Sequence, residues 1–143
     1  MHIDLSQMRG ARVDLPAGTC HVAGGSHFRD LYHESMAQCM ATTAGTVSHT
    51  GVGGLTTGGG FGRLARRYGL ALDNVVSVDV VTANGQLVHA NAEENPDLYW
   101  GVRGGGGNFG VVTNFEFKLH PMSRKVIAGN VMFPLSEMKN VLN

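Results

Sequence analysis

Cysteine is nearly missing from this chain: Cys20 and Cys39 are the only two in 143 residues. Their spacing matches neither a zinc-ligand pattern nor a disulfide framework. Charge is scarce too, at 15% of residues, and 11 basic side chains are cancelled by 11 acidic ones. Such a balance leaves no basic footprint for a polyanion or an anionic lipid surface, which excludes nucleic-acid and membrane partners. Apolar runs are short and broken by glycine, so none could span a bilayer. The opening Met1-His2-Ile3-Asp4 has neither the basic nor the apolar region of a secretory signal, and a cytoplasmic, reducing setting is expected. The seven histidines are scattered. His27 with His33, or His49 alone, form no recognised ligand set, so surface or packing roles are expected and no metal site. No Ser-His-Asp set emerges either, since Ser48 and His49 are chain neighbours whose side chains rarely point together.

Glycine is the residue in excess, 21 of 143, about double the usual ~7%. There is no Gly-X-Y period, and the Val and Leu content excludes a flexible linker. The glycines gather in two stretches, Gly51 to Gly62 and Gly101 to Gly110. Glycine clustered between strong structural elements points to backbone approaching something closely.

The remaining chain alternates strands and short helices. Ile3 and Leu5 alternate as a short strand. Ala11 to Leu15 is a second, turned by Pro16-Ala17-Gly18, and Thr19 to Ala23 a third, closed by Gly24-Gly25. Phe28, Leu31, Tyr32, Met36, Cys39 and Met40 share one helical face, with Ser26 as N-cap. Phe61 to Tyr68 forms a short helix ending at Gly69. Val75 to Ala83 is a β-branched strand, Asn84-Gly85 a hairpin signal, and Gln86 to Ala90 the return strand. Asn95-Pro96-Asp97 starts a helix that Gly104 stops. Val111 to Leu119 is a strand ended by His120-Pro121, and Val126 to Phe133 is another. Leu135 to Leu142 begins an amphipathic helix, too short to stand without a packing surface. This pattern predicts an α+β fold, a mixed or antiparallel sheet flanked by short helices.

In the first glycine stretch, backbone N–H groups can converge on one anion, as nests and helix N-termini do for phosphate. Thr50, Thr56 and Thr57 add hydroxyls suited to a phosphate or a ribityl chain. A tight turn crossing another strand is the plainer alternative; the density of glycine favours ligand approach. The second stretch holds a G-x-G-x-x-G at Gly105, Gly107 and Gly110. A dinucleotide-binding loop of that kind runs from strand to helix, whereas here a helix comes first and a strand follows. Gly60, Gly62 and Ala65, with Asp79 downstream, form a second partial match that lacks the leading strand. Arg63, Arg66 and Arg67 are read as the solvated side of a helix.

The blocks Ser48 to Gly62, Tyr68-Gly69-Leu70, Asp73-Asn74-Val75, Val80 to Gly85, Asn95 to Trp100 and Arg103 to Thr113 follow one another in a telling order. From about residue 2 to residue 122 they resemble the FAD-linked oxidases, the berberine-bridge-enzyme-like branch of the vanillyl-alcohol-oxidase group. That resemblance implies the second lobe of a PCMH-type FAD-binding domain. It places the FAD diphosphate and ribityl chain against Thr50, Gly51, Val52, Gly53, Gly54, Thr57, Gly60 and Gly62. The adenine end would meet backbone at Gly110, Val111 and Val112. It implies hydride transfer from an alcohol, amine or C–H substrate to flavin N5, with dioxygen as the usual acceptor. Many members attach FAD through a cysteine where this chain has Val47, so no thioether is implied there. Some place a histidine where this chain has Leu55. The upstream lobe, with its own diphosphate loop and flavin-linking histidine, has no counterpart here, and no catalytic base is visible. The expected organisation is a partial FAD-binding domain over residues 1–122 and the start of a truncated substrate domain over 123–143. The partner of an intact parent would be a small-molecule substrate. Faces meant for the missing lobe would be apolar and prone to self-association. The alternative is a non-catalytic remnant that keeps the fold without flavin.

Overall fold

Period-two patterning buries Cys20 and Val22, Val78 and Val80, and Phe115 and Phe117 on the three central strands, and the sheet assembles around those positions. The computed structural model describes residues 2–142. Five strands form one wholly antiparallel sheet: β1 (Ala11–Asp14), β2 (Thr19–Ala23), β4 (Val75–Val81), β5 (Leu87–Asn91) and β6 (Val111–Lys118), in spatial order β1-β2-β6-β4-β5. A separate two-stranded ribbon pairs β3 (Met40–Ala41) with β7 (His120–Pro121). The expected α+β class is what the chain adopts.

The core lies on one sheet face, where Cys20, Val22, Val78, Val80, Ala90, Phe115 and Phe117 are buried together. Phe28 and Leu31 of α1 (Phe28–Ala37), Val52 of α2 (Val52–Thr57) and Val102 of α4 (Pro96–Val102) complete it. A second face carries a polar row. Glu116 accepts from Ser77 at 2.7 Å, and Asp79 pairs with His89 at 2.7 Å.

Several expectations need correction. The N-cap of α1 is His27, not Ser26. Ser26 is committed elsewhere, its Oγ accepting from Gly10 N and donating to Gly10 O, both at 3.0 Å. The helix stops at Ala37, because Cys39 turns to φ 56° and Met40 enters β3. The predicted helix over 61–68 shortens to α3 (Ala65–Tyr68), capped by Gly69 at φ 78°. Ile3 and Leu5 form no strand. Nor does 126–133, which is exposed and has no paired neighbour among the described residues; extended chain without a ladder partner is not a strand. Asn84-Gly85 closes the β4–β5 hairpin as the second half of a turn begun at Thr82, whose carbonyl accepts from Gly85 N at 2.9 Å. Asn95 caps α4 from left-handed φ 50°, with Pro96 in the first turn, as the sequence predicts. The final helical stretch, Leu135–Glu137 followed by α5 (Met138–Leu142), is exposed. No described helix is long and apolar enough to cross a membrane.

Candidate functional site: a glycine-walled groove

The site begins where two strands part. Pairing of β2 with β6 ends at Ala23↔Asn114, after which Gly24 N still donates to Thr113 O at 2.8 Å. Pairing of β6 with β4 continues to Val81↔Val111. Val111 and Val112 are thus laddered on one side only, and their other edge opens on a groove of about 440 Å³. Gly24 to His27 form its near wall, with Ile3 and Leu5 beside them. Gly51, Gly53, Gly54 and Thr57 form another, and Gly106, Gly107 and Gly110 the third.

The walls are fixed by backbone bonds. Phe28 N donates to Thr50 O at 3.0 Å and Val52 N to Ser26 O at 2.9 Å, around a bridge between His27 and Gly51. These tertiary bonds hold Val52–Thr57 as a helix despite two glycines, which intrinsic propensity opposes. The sequence gives no helical signal over that stretch. Thr57 is buried and donates its hydroxyl to Gly53 O at 3.0 Å. On the far side Arg103 Nε donates to Leu72 O at 2.8 Å, while its guanidinium lies 4.7 Å from the Tyr99 ring. That tie anchors the second glycine stretch just before its run Gly104 to Gly107.

Seven of the residues singled out from sequence line this groove: Gly51, Gly53, Gly54, Thr57, Gly110, Val111 and Val112. Four do not. Val52 is fully buried in the core, and Thr50 supplies its carbonyl to Phe28. A Cβ on Gly60 would meet Ala71 and Leu55 at 2.5 Å, and one on Gly62 would meet Ala44 O at 1.8 Å. Those two glycines are required by packing within the chain. Sequence reasoning passed over Ile3, Leu5, Gly24 to His27, Gly106 and Gly107. The signal for the last two was present, since they belong to the second glycine stretch.

The lining glycines divide by cause. Gly24 and Gly25 face carbonyl oxygens that a Cβ would strike at 2.0 and 1.8 Å, so the fold itself demands them. Gly51, Gly54 and Gly107 have φ values open to any residue, and a Cβ there would meet nothing within 4 Å. Their missing side chains leave the groove open and serve no internal contact.

Ionisable groups are sparse around it. Asp30, in the first turn of α1, accepts from His27 N at 2.8 Å, and Arg9 Nη2 donates to its two carboxylate oxygens at 3.0 and 3.1 Å. Partial burial pushes its carboxyl up, but the His27 amide and Arg9 outweigh this and hold it below the usual value. Burial pushes the Cys20 thiol up to about 11, an inert core group. Arg63, Arg66 and Arg67 are all exposed, but only Arg66 and Arg67 lie on a helix, α3; Arg63 sits in the turn before it. No group of three His, Cys, Asp or Glu among the described residues could hold a metal ion.

The model for the FAD binding domain matches residues 1–91. The chain is 49% identical over 120 residues to the FAD-linked oxidoreductase pgmH of Aspergillus terreus, covering 84% of this chain and 24% of that protein. Its fold superposes on 6-hydroxy-D-nicotine oxidase from Arthrobacter nicotinovorans with TM-score 0.83 and 37% identity, over 89% of this chain and 28% of that one. Berberine bridge enzyme superposes with TM-score 0.76 and 35% identity, over 81% of this chain and 24% of that one. The chain spans about a quarter of the length of these proteins. The family match and the shared fold thus agree, and the chain belongs to the FAD binding domain family, in its berberine-bridge-enzyme-like branch.

Proposed function

We propose that this chain forms one side of the FAD site of an FAD-dependent oxidoreductase, and that the groove takes the dinucleotide. The observation that carries the reading is the set Gly51, Gly54 and Gly107: glycines without an internal reason, all on one groove. A Cβ at any of them would project into space a ligand needs. Glycine within a helix costs stability, so Gly54 is a cost with no return inside the chain. Backbone approach to a phosphate supplies that return.

The residues fit the group. The first-turn amides of Gly53 and Gly54 have no partner among the described residues outside the helix, and both residues line the groove, which suits them to hold the diphosphate. The free edge of Val111 and Val112, with Ile3 and Leu5 nearby, makes an apolar end suited to adenine. Bound there, FAD would supply hydride acceptance at flavin N5 from an alcohol, amine or C–H substrate, with dioxygen as final acceptor. The chain's own contribution is to bind and orient the nucleotide; no described residue is assigned as base.

Residues 1–122 are the FAD-binding unit in this reading, and 123–143 open the substrate domain. Met122 N still donates to Cys39 O at 2.9 Å. Beyond it the apolar side chains of Ile127, Met132, Leu135 and Leu142 are exposed.

Titration of the purified chain with FAD, followed by flavin fluorescence and absorbance, tests the reading. Saturable uptake is expected, with loss of uptake in a folded Gly54→Val variant. A folded wild-type chain that takes up no FAD overturns the proposal. A stable oligomer without flavin would instead favour a non-catalytic interaction module.

A further inference from the structure

We infer that His27 is a further binding residue of the groove, its Nε2–H donating to an anionic oxygen of the dinucleotide diphosphate. The inference rests on the FAD reading above. Side-chain donors along the groove are few, and elimination is short. Ser26 Oγ is occupied by Gly10 on both its donor and acceptor sides. The Thr57 hydroxyl proton is given to Gly53 O. Every other lining residue is glycine or aliphatic. His27 alone brings an uncommitted side-chain N–H to a site that would hold a charged diphosphate.

The imidazole has two unlike ends. Nδ1 is buried without a partner among the described residues. The capping arrangement of His27 with Asp30 sets the ring over the first turn of α1, where the Asp30 N–H is given to His27 O at 3.0 Å. With no acceptor in reach, a proton on Nδ1 would be buried unpaired, which favours the tautomer with the proton on Nε2. Nε2 is then the nitrogen available to the groove that His27 lines.

Backbone bonds hold the residue in place before any ligand arrives. His27 N donates to Asp30 Oδ2 at 2.8 Å, and the His27–Gly51 bridge is flanked by the Phe28–Thr50 and Val52–Ser26 bonds. The Asp30 charge is engaged by Arg9 at 3.0 Å, which limits its repulsion of an incoming anion. A donor fixed in advance loses little freedom on binding.

The test compares FAD with riboflavin, which lacks phosphate, on the full chain and on His27→Leu, His27→Ala and His27→Gln. Fluorescence titration gives the dissociation constants, and circular dichroism confirms folding. Leu and Ala are expected to weaken FAD binding about tenfold or more, the worth of a hydrogen bond to a charged acceptor. Gln, whose amide can replace Nε2–H, is expected to recover most of it, and riboflavin binding to stay unchanged throughout. Unchanged FAD affinity in Leu and Ala overturns the inference while leaving the FAD reading intact, as do equal losses for FAD and riboflavin. Failure of the wild-type chain to bind FAD removes both together.

Discussion

Gly24 and Val112 meet backbone to backbone at the point where β2 leaves β6: a Cβ on Gly24 would sit 2.0 Å from the Val112 carbonyl oxygen. The contact brings the turn at Gly24-Gly25 against the strand edge that floors the groove. Replacing Gly24 by alanine must push the two segments apart. A loss of roughly 2–3 kcal/mol is expected, the usual cost of forced overpacking. Urea denaturation of Gly24→Ala beside wild type measures it, and an unchanged midpoint would refute the contact.

Gly54→Ala is expected to act in the opposite direction on stability. The added methyl meets nothing and removes a glycine from α2, which should add about 0.5–1 kcal/mol. FAD affinity should fall at the same time, because the methyl stands in the groove. A melting curve and a flavin titration on one preparation check both signs. Gly60→Val, by contrast, should damage folding first, since Ala71 and Leu55 already occupy its Cβ space.

The contrast between Gly54 and Gly60 marks how far the sequence could be read. Composition locates both glycine stretches, and block order identifies the FAD-type domain, yet neither separates glycines that line the groove from those packed against Ala44 or Ala71. That distinction depends on which strand crosses where, a long-range matter. For the same reason α2 is invisible in advance. Its two glycines argue against a helix, and only the bonds from Ser26 and the burial of Val52 make one. Asn95-Pro96 and the β4–β5 hairpin were legible because their signals are local. The 126–133 strand fails because β-branched residues cannot supply the neighbour that a ladder requires.

Thiol chemistry should separate the two cysteines. Cys20 is buried, with its thiol raised to about 11, while Cys39 is exposed. Titration with an aromatic disulfide at pH 8 should count one fast thiol in the folded chain and two in denaturant. Rapid reaction of both in the folded state would contradict the burial.

A histidine away from the groove should set the acid limb of stability. His120 stacks on Tyr68 at 3.9 Å between centroids, and its Nε2 lies 2.8 Å from Asn74 Oδ1. Burial, then Lys118 and Arg67, lower its pKa below the ordinary 6.5. The unfolded chain therefore binds the proton more readily, and stability rises with pH across the interval between the two values. Its contribution is complete above about 6.5 and is lost as pH falls through the folded-state value. Denaturation midpoints from pH 7.5 down to 5 should decline, and His120→Asn should flatten that decline. An equal slope in the variant would assign it to other groups.

The two kinds of glycine on one groove carry an evolutionary consequence. Selection for foldedness alone would hold Gly24 and Gly25 in place and would favour alanine at Gly54. A duplicate released from carrying a nucleotide would therefore drift at Gly51, Gly54 and Gly107 first, filling the cleft with methyl groups while the sheet around it stayed intact.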